Sequence, residues 1–98
     1  MAYEISNYYE PLVFSAIRRH AHDRFQQMPD HELLEDAACL ALNQLPSRYV
    51  RHHVDTSFYL TVQERDEMDQ AIEQAVRHAF DHLTRHRDKR PDTYSQTD

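Results

Sequence analysis

Apolar residues recur every three or four positions along the first quarter of the chain, as on one face of an amphipathic helix. The stripe comprises Ile5, Tyr9, Leu12, Val13, Ala16, Ile17, Ala21 and Phe25. Ser6 is a candidate N-cap, although the first turn can also begin after Asn7. Pro11 lies near the start, where a missing N–H costs least. We expect this helix to end before Met28 and Pro29.

A second apolar stripe follows Asp30, which is a good helix N-cap. Its members are Leu33, Leu34, Ala37, Ala38, Ala41, Leu42 and Leu45. Pro46 cannot continue a helix and ends this one. From Ser47 to Leu60 the helical period disappears, and polar and apolar residues alternate in places. This pattern predicts an irregular or short-strand connector.

The third stripe begins after Thr61 and Glu64, whose spacing is that of a capping box. It comprises Met68, Ile72, Ala75, Val76, Ala79, Phe80 and Leu83. After Arg90 no apolar pattern remains. The chain is therefore predicted to be all-α: a compact three-helix domain over residues 1–88, with the connector between helices 2 and 3 and a disordered tail over residues 89–98.

Composition narrows the possible functions. The 98 residues suffice for one core, and the net charge of −6 argues against nonspecific binding to duplex nucleic acid. Glycine is absent, which excludes glycine-rich phosphate loops and the dinucleotide fingerprint. We find no membrane span and no signal peptide, and expect a cytoplasmic protein. Cys39 is the single cysteine, so no disulfide forms within one chain, and we expect a buried thiol.

Histidine is frequent, with eight residues in the chain. His78, His82 and His86 are spaced by four and therefore share one helix face. A tight metal site needs three or four converging ligands, so the spacing favours a solvated, weakly pH-sensitive face over a metal centre. We predict no metal and no cofactor. Neither the serines nor the cysteine lies in a sequence motif typical of an activated nucleophile. We therefore predict that the protein is not an enzyme.

A basic cluster of Arg48, Tyr49 and Arg51 stands out in this acidic chain. Guanidinium groups beside a phenol ring suit a small ligand that carries phosphate and a purine, through forked hydrogen bonds and stacking. A structural interpretation is also open, in which the arginines pair with the carboxylates in 32–36 and Tyr49 fills the core.

Residues 36–50, with the sequence DAACLALNQLPSRYV, resemble the signature of the ComFB family, whose core is close to A-L-N-x-L-P-P-x-Y. Residues 7–13 and 71–80 fall where that family has its outer helices, so the resemblance covers about residues 5 to 84. Ser47 stands where the family usually has a second proline. The cysteine cluster that some members use for zinc is missing, so zinc is not carried over.

The resemblance implies a mainly helical protein that forms homodimers. The family is named for a competence operon and is linked to cyclic dinucleotide signalling, type IV pili and motility. Asn43, Arg48 and Tyr49 are the matching positions with chemistry that a ligand can use. The leading hypothesis is a receptor for cyclic di-GMP, the favoured ligand, or cyclic di-AMP that signals to an unidentified protein partner. Its ligand-binding residues are Arg48, Tyr49, Arg51 and Asn43, aided by Arg18 or Arg19. The alternative is a ligand-free protein–protein interaction module of the competence or pilus machinery.

Overall fold

Helices make up most of the chain that the computed structural model describes, residues 5–87. In chain order the elements are β1 (Ser6–Asn7), α1 (Tyr9–Arg24), α2 (His31–Asn43), β2 (Tyr49–Val50), α3 (His53–Tyr59) and α4 (Val62–Arg87). The all-α prediction is confirmed, and the three expected helices correspond to α1, α2 and α4. The predicted tail, residues 89–98, lies outside the described residues.

The core lies where α1, α2 and α4 pack against one another. Its largest fully buried side chains are Val13, Val76 and Phe80, and the buried face of α2 consists mainly of small alanines. Small side chains let helices approach closely, because the distance between helix axes depends on the residues at the contact. The three stripes read from the sequence therefore meet in one core. Within residues 5–87, no helix is both long enough and apolar enough to cross a membrane.

Two of the predicted helix starts are confirmed by their caps. The Asp30 carboxylate accepts a hydrogen bond from the backbone N–H of Leu33 at 2.9 Å. At the start of α4, the Thr61 hydroxyl accepts from the N–H of Glu64 at 3.0 Å, and Glu64 accepts from the N–H of Thr61 at 2.9 Å. These side chains satisfy backbone donors that have no partner inside the helix.

The start of the first helix differs from the prediction. Ser6 does not cap α1 but lies in β1, which pairs antiparallel with β2 so that Ser6 is opposite Val50 and Asn7 is opposite Tyr49. Ile5, which was assigned to the helical stripe, is exposed. The pairing joins segments that are far apart in the sequence, and a local apolar period carries no information about such a pairing.

The connector between α2 and α4 contains the expected short strand, β2, but also the helix α3, which the apolar pattern does not predict. None of the residues of α3 is buried. The helix is only seven residues long, too short to show the extended apolar stripe that revealed the other helices. The described domain therefore has four helices and not three.

Cys39 is exposed, contrary to the expectation of a buried thiol. The core face of α2 is formed by Leu33, Ala37, Ala38 and Ala41. Successive residues of an α-helix are about 100° apart around its axis, so the residue after Ala38 turns away from that face.

Replacing Phe80 by alanine should destabilise the domain by about 3–5 kcal/mol, because a fully buried ring would leave a cavity. The matched control is Phe58→Ala, at a phenylalanine that is 81% exposed, for which we expect a change within about 0.5 kcal/mol. Urea denaturation followed by circular dichroism measures both. Equal losses for the two variants would contradict the placement of the core.

Asp36 of α2 is an unfavourably placed carboxylate. Burial raises its pKa above the ordinary value of 3.8, and the neighbouring charges of Glu32, Glu35 and Asp30 raise it further. Its Oδ2 atom is buried and has no hydrogen-bond partner within residues 5–87. A carboxyl group whose pKa is higher in the folded than in the unfolded state costs stability whenever it is ionised.

Asp36→Asn should therefore raise the thermal midpoint at pH 7 by a few degrees, because it removes the buried charge. Near pH 3 the carboxyl group is protonated in both states, so the difference between variant and parent should disappear there. Asp23→Asn, at an exposed carboxylate of α1, is the control and should change the midpoint less. Calorimetric scans across this pH range would refute the assignment if the gain were independent of pH.

Candidate functional site

The backbone of the basic cluster is fixed to the start of α1. The Tyr8 N–H donates to the carbonyl of Arg48 at 2.6 Å. The Asn7 side-chain oxygen accepts from the N–H of Arg48 at 3.1 Å and from the N–H of Tyr9 at 3.2 Å. The Asn7 side chain thus holds both the first turn of α1 and the entry to β2. The sequence pattern does not predict this role.

The side chains of the cluster remain accessible. Tyr49 is 69% exposed, so the interpretation that it fills the core is wrong. Arg51 is exposed as well, and it has no hydrogen bond or ion pair to the residues that the structure describes. All three side chains are therefore open to solvent, and Tyr49 and Arg51 are separated by a single residue.

Arg48 lies beside a cavity of about 250 Å³. The cavity is lined by Tyr9, Arg48, Glu64, Glu67 and Met68. Hydrogen bonds from the backbone and side chain of Thr61 lower the pKa of Glu64, and the charge of Arg48 lowers it further. The carboxylates near Arg48 are thus on α4, and within residues 5–87 no ion pair joins the arginine to the acidic residues 32–36. An anionic ligand in this cavity would be repelled by the negative charges of Glu64 and Glu67.

The other predicted ligand residues lie elsewhere. Asn43 is the exposed last residue of α2. Arg19 forms an ion pair with Glu73 at 2.7 Å and borders a different cavity, between α1 and α4. Arg18 is exposed on α1, about 14 Å along the helix from its first residue at a rise of 1.5 Å per residue. The residues that lie together are those of the connector: Arg48, Tyr49 and Arg51.

A polar cluster around His53 attaches α3 to the rest of the domain. His53 Nε2 lies 2.8 Å from the Ser6 hydroxyl, and its ring stacks on that of Tyr8 with centroids 5.3 Å apart. The Tyr8 hydroxyl is 2.7 Å from the hydroxyl of Ser57. The His53 imidazole is therefore half-buried among these groups, a placement that the sequence does not predict. The signal that could have revealed it is the Ser6 and Tyr8 pair preceding α1, which β1 brings against α3.

The histidine face of α4 forms a row of rings. The centroids of His78 and His82 are 6.5 Å apart, and those of His82 and His86 are 4.3 Å apart. The Gln44 amide donates to Nδ1 of His78 at 2.8 Å. Across residues 5–87 no group of three or more histidine, cysteine, aspartate or glutamate side chains is arranged to hold a metal ion.

Comparison with known proteins identifies a family. The family model described as Late competence development protein ComFB matches residues 6–87. The match spans both strands and all four helices, and it includes the connector with the basic cluster. No curated protein and no solved structure matches the chain.

Asn7→Ala should release the connector from α1, because two backbone N–H groups lose their acceptor. We expect faster hydrogen exchange at the amides of Arg48 and Tyr9 and a loss of about 1–2 kcal/mol in stability. Asn43→Ala, at the exposed end of α2, is the control and should leave both amides protected. Unchanged exchange at Arg48 in the Asn7 variant would show that the strand pairing alone orders the connector.

Proposed function

The chain belongs to the late competence development protein ComFB family, which gives it a role related to late competence, and we propose that it acts there as a receptor for a cyclic dinucleotide. Cyclic di-GMP is the favoured ligand and cyclic di-AMP is the second choice. On this proposal the protein has no catalytic activity and signals through a protein partner to DNA uptake, type IV pili or motility.

The observation that carries the proposal is the exposed pair of Tyr49 and Arg51. A free guanidinium group donates a forked pair of hydrogen bonds to a phosphate, and an exposed phenol ring offers a face on which a purine stacks. Both groups are exposed on a connector whose backbone Asn7 holds at Arg48, so little backbone entropy is lost when they bind. Arg48 adds positive charge next to Tyr49, partly offset by Glu64.

The proposal includes a homodimer, as the family resemblance implies. A domain of this size buries only about two-thirds of its unfolded surface, and a second copy would cover more of what remains. Phe14 and Leu12 are exposed apolar residues on α1 that such a contact could cover. Light scattering coupled to gel filtration measures the mass directly.

A second function is favoured by a different observation, the exposed apolar side chains of α3. Phe58 and Tyr59 lie almost fully in solvent. Contiguous exposed apolar surface often marks a site of protein contact. In this alternative the protein binds no nucleotide and serves as an interaction module in the competence or pilus machinery.

Isothermal titration of the purified protein with cyclic di-GMP and cyclic di-AMP, with GTP and ATP as controls, tests the receptor proposal. We expect one cyclic dinucleotide alone to bind, and Arg51→Ala to weaken its binding at least about tenfold, since a hydrogen bond to a charged group contributes about 1.5–3 kcal/mol. Arg48→Ala should also lose binding while the fold remains intact.

The matched control is Arg77→Ala, at an exposed arginine of α4, which should bind like the parent protein. The absence of binding with all four nucleotides would refute the receptor proposal and favour the interaction module. Binding that survives Arg51→Ala and Arg48→Ala would place the ligand away from the connector.

A further inference from the structure

We propose that α3 and the start of α4 form a docking surface for a cationic amphipathic helix of a partner protein. The surface is centred on the α3 patch, which we define as Val54, Phe58, Tyr59 and Val62. This proposal is independent of nucleotide binding, because it uses none of the residues of the basic cluster.

The α3 patch is unusually apolar for a solvent-exposed surface. Phe58 is 81% exposed and Tyr59 is 85% exposed, and the two valines are exposed to a similar degree. Val54 and Phe58 are four residues apart and therefore share one face of α3. The contacts that attach α3 to the rest of the domain involve His53 and Ser57, whereas its large apolar side chains stay in solvent. They are left available for a partner.

A cavity next to the α3 patch offers an anchor point. It has a volume of about 210 Å³ and lies between α1, the end of α3 and α4. Leu12, Leu60 and Met68 supply apolar walls, and Asp69 supplies a carboxylate. The volume is below the range of about 300–1,000 Å³ that is typical of small-molecule sites, and is suited to one side chain inserted from a helix.

The charge around the α3 patch selects the partner. Residues 53–70 carry five carboxylates and one arginine. Their net charge is therefore −4, compared with −6 for the whole chain. The carboxylates are Asp55, Glu64, Asp66, Glu67 and Asp69, and all are exposed. The arginine, Arg65, donates to the carbonyl of Ser57 at 2.8 Å. A basic partner is therefore attracted to this surface.

The same charges disfavour a second copy as the occupant. In a two-fold dimer a patch meets its own copy, so the acidic rims of the two α3 patches would face each other. Like charges brought together across an interface cost free energy and select against that pairing. A helix with apolar residues at three- and four-residue spacing and lysines between them complements both the patch and its rim.

Fluorescence anisotropy with two labelled peptides tests this proposal. One contains two repeats of LKKLLKL, and the other contains two repeats of LEELLEL, which has the same apolar spacing and opposite charge. We expect the cationic peptide to bind the full-length protein, with an affinity that falls as salt is added. The acidic peptide should not bind at the same concentrations.

Two double variants and one control locate the binding. The double substitution Phe58→Ser and Tyr59→Ser should weaken binding of the cationic peptide at least about tenfold, since buried aromatic anchors dominate interface energies. Met28→Ser, at an exposed side chain between α1 and α2, is its control. The double substitution Asp66→Asn and Asp69→Asn should reduce both the affinity and its salt dependence. Thermal unfolding should be unchanged in the Phe58 and Tyr59 variant, because both rings are exposed.

Three results would overturn the proposal. The first is equal binding of the two peptides, or no binding of the cationic one. The second is undiminished binding to the variant that lacks Phe58 and Tyr59. The third is a dimer, measured by light scattering, that this variant abolishes, because a second copy would then be the occupant of the α3 patch.

Discussion

The packing of α4 against α1 and α2 is the interaction on which the other parts of the domain depend. Phe80 and Val76 are fully shielded from solvent there, and the alanines of α2 allow the helices to approach closely. The three apolar stripes cover most of one another, and the segment between α2 and α4 adds only Leu45 to the buried core, with Val50 and Leu60 packed against it. Most of that segment therefore runs over the outside of the bundle, where polar contacts help to hold it.

Those polar contacts divide the connector into two parts with different attachments. The entry to β2 is held through backbone groups, by the pairing with β1 and by the Asn7 side chain. The following helix is held through side chains, chiefly by the imidazole of His53 against Ser6 and Tyr8. Both attachments end on the few residues that precede α1. Residues 6–8 thus order the surface on which the basic cluster and the α3 patch lie.

The sequence reveals those elements of the fold that bury a periodic face. The stripes of α1, α2 and α4 are visible because each repeats at helical spacing, and the caps at Asp30 and Thr61 locate two starts with local chemistry. The helix α3 leaves no such trace, and the strand at Ser6 depends on a partner more than forty positions away. Of the candidate site, the residue types of the connector could be recognised. Their exposure, and the separation of Arg18 and Arg19 from them, depend on how the helices pack.

A helix that buries no side chain also has a consequence for how such a protein diverges. Substitutions in a core alter stability and are removed by selection, whereas changes on the outer face of α3 leave the free energy of unfolding almost untouched. The binding specificity of this surface can therefore change while the packing of the three helices is retained. One scaffold can in this way acquire new partners without passing through unfolded intermediates in its evolution.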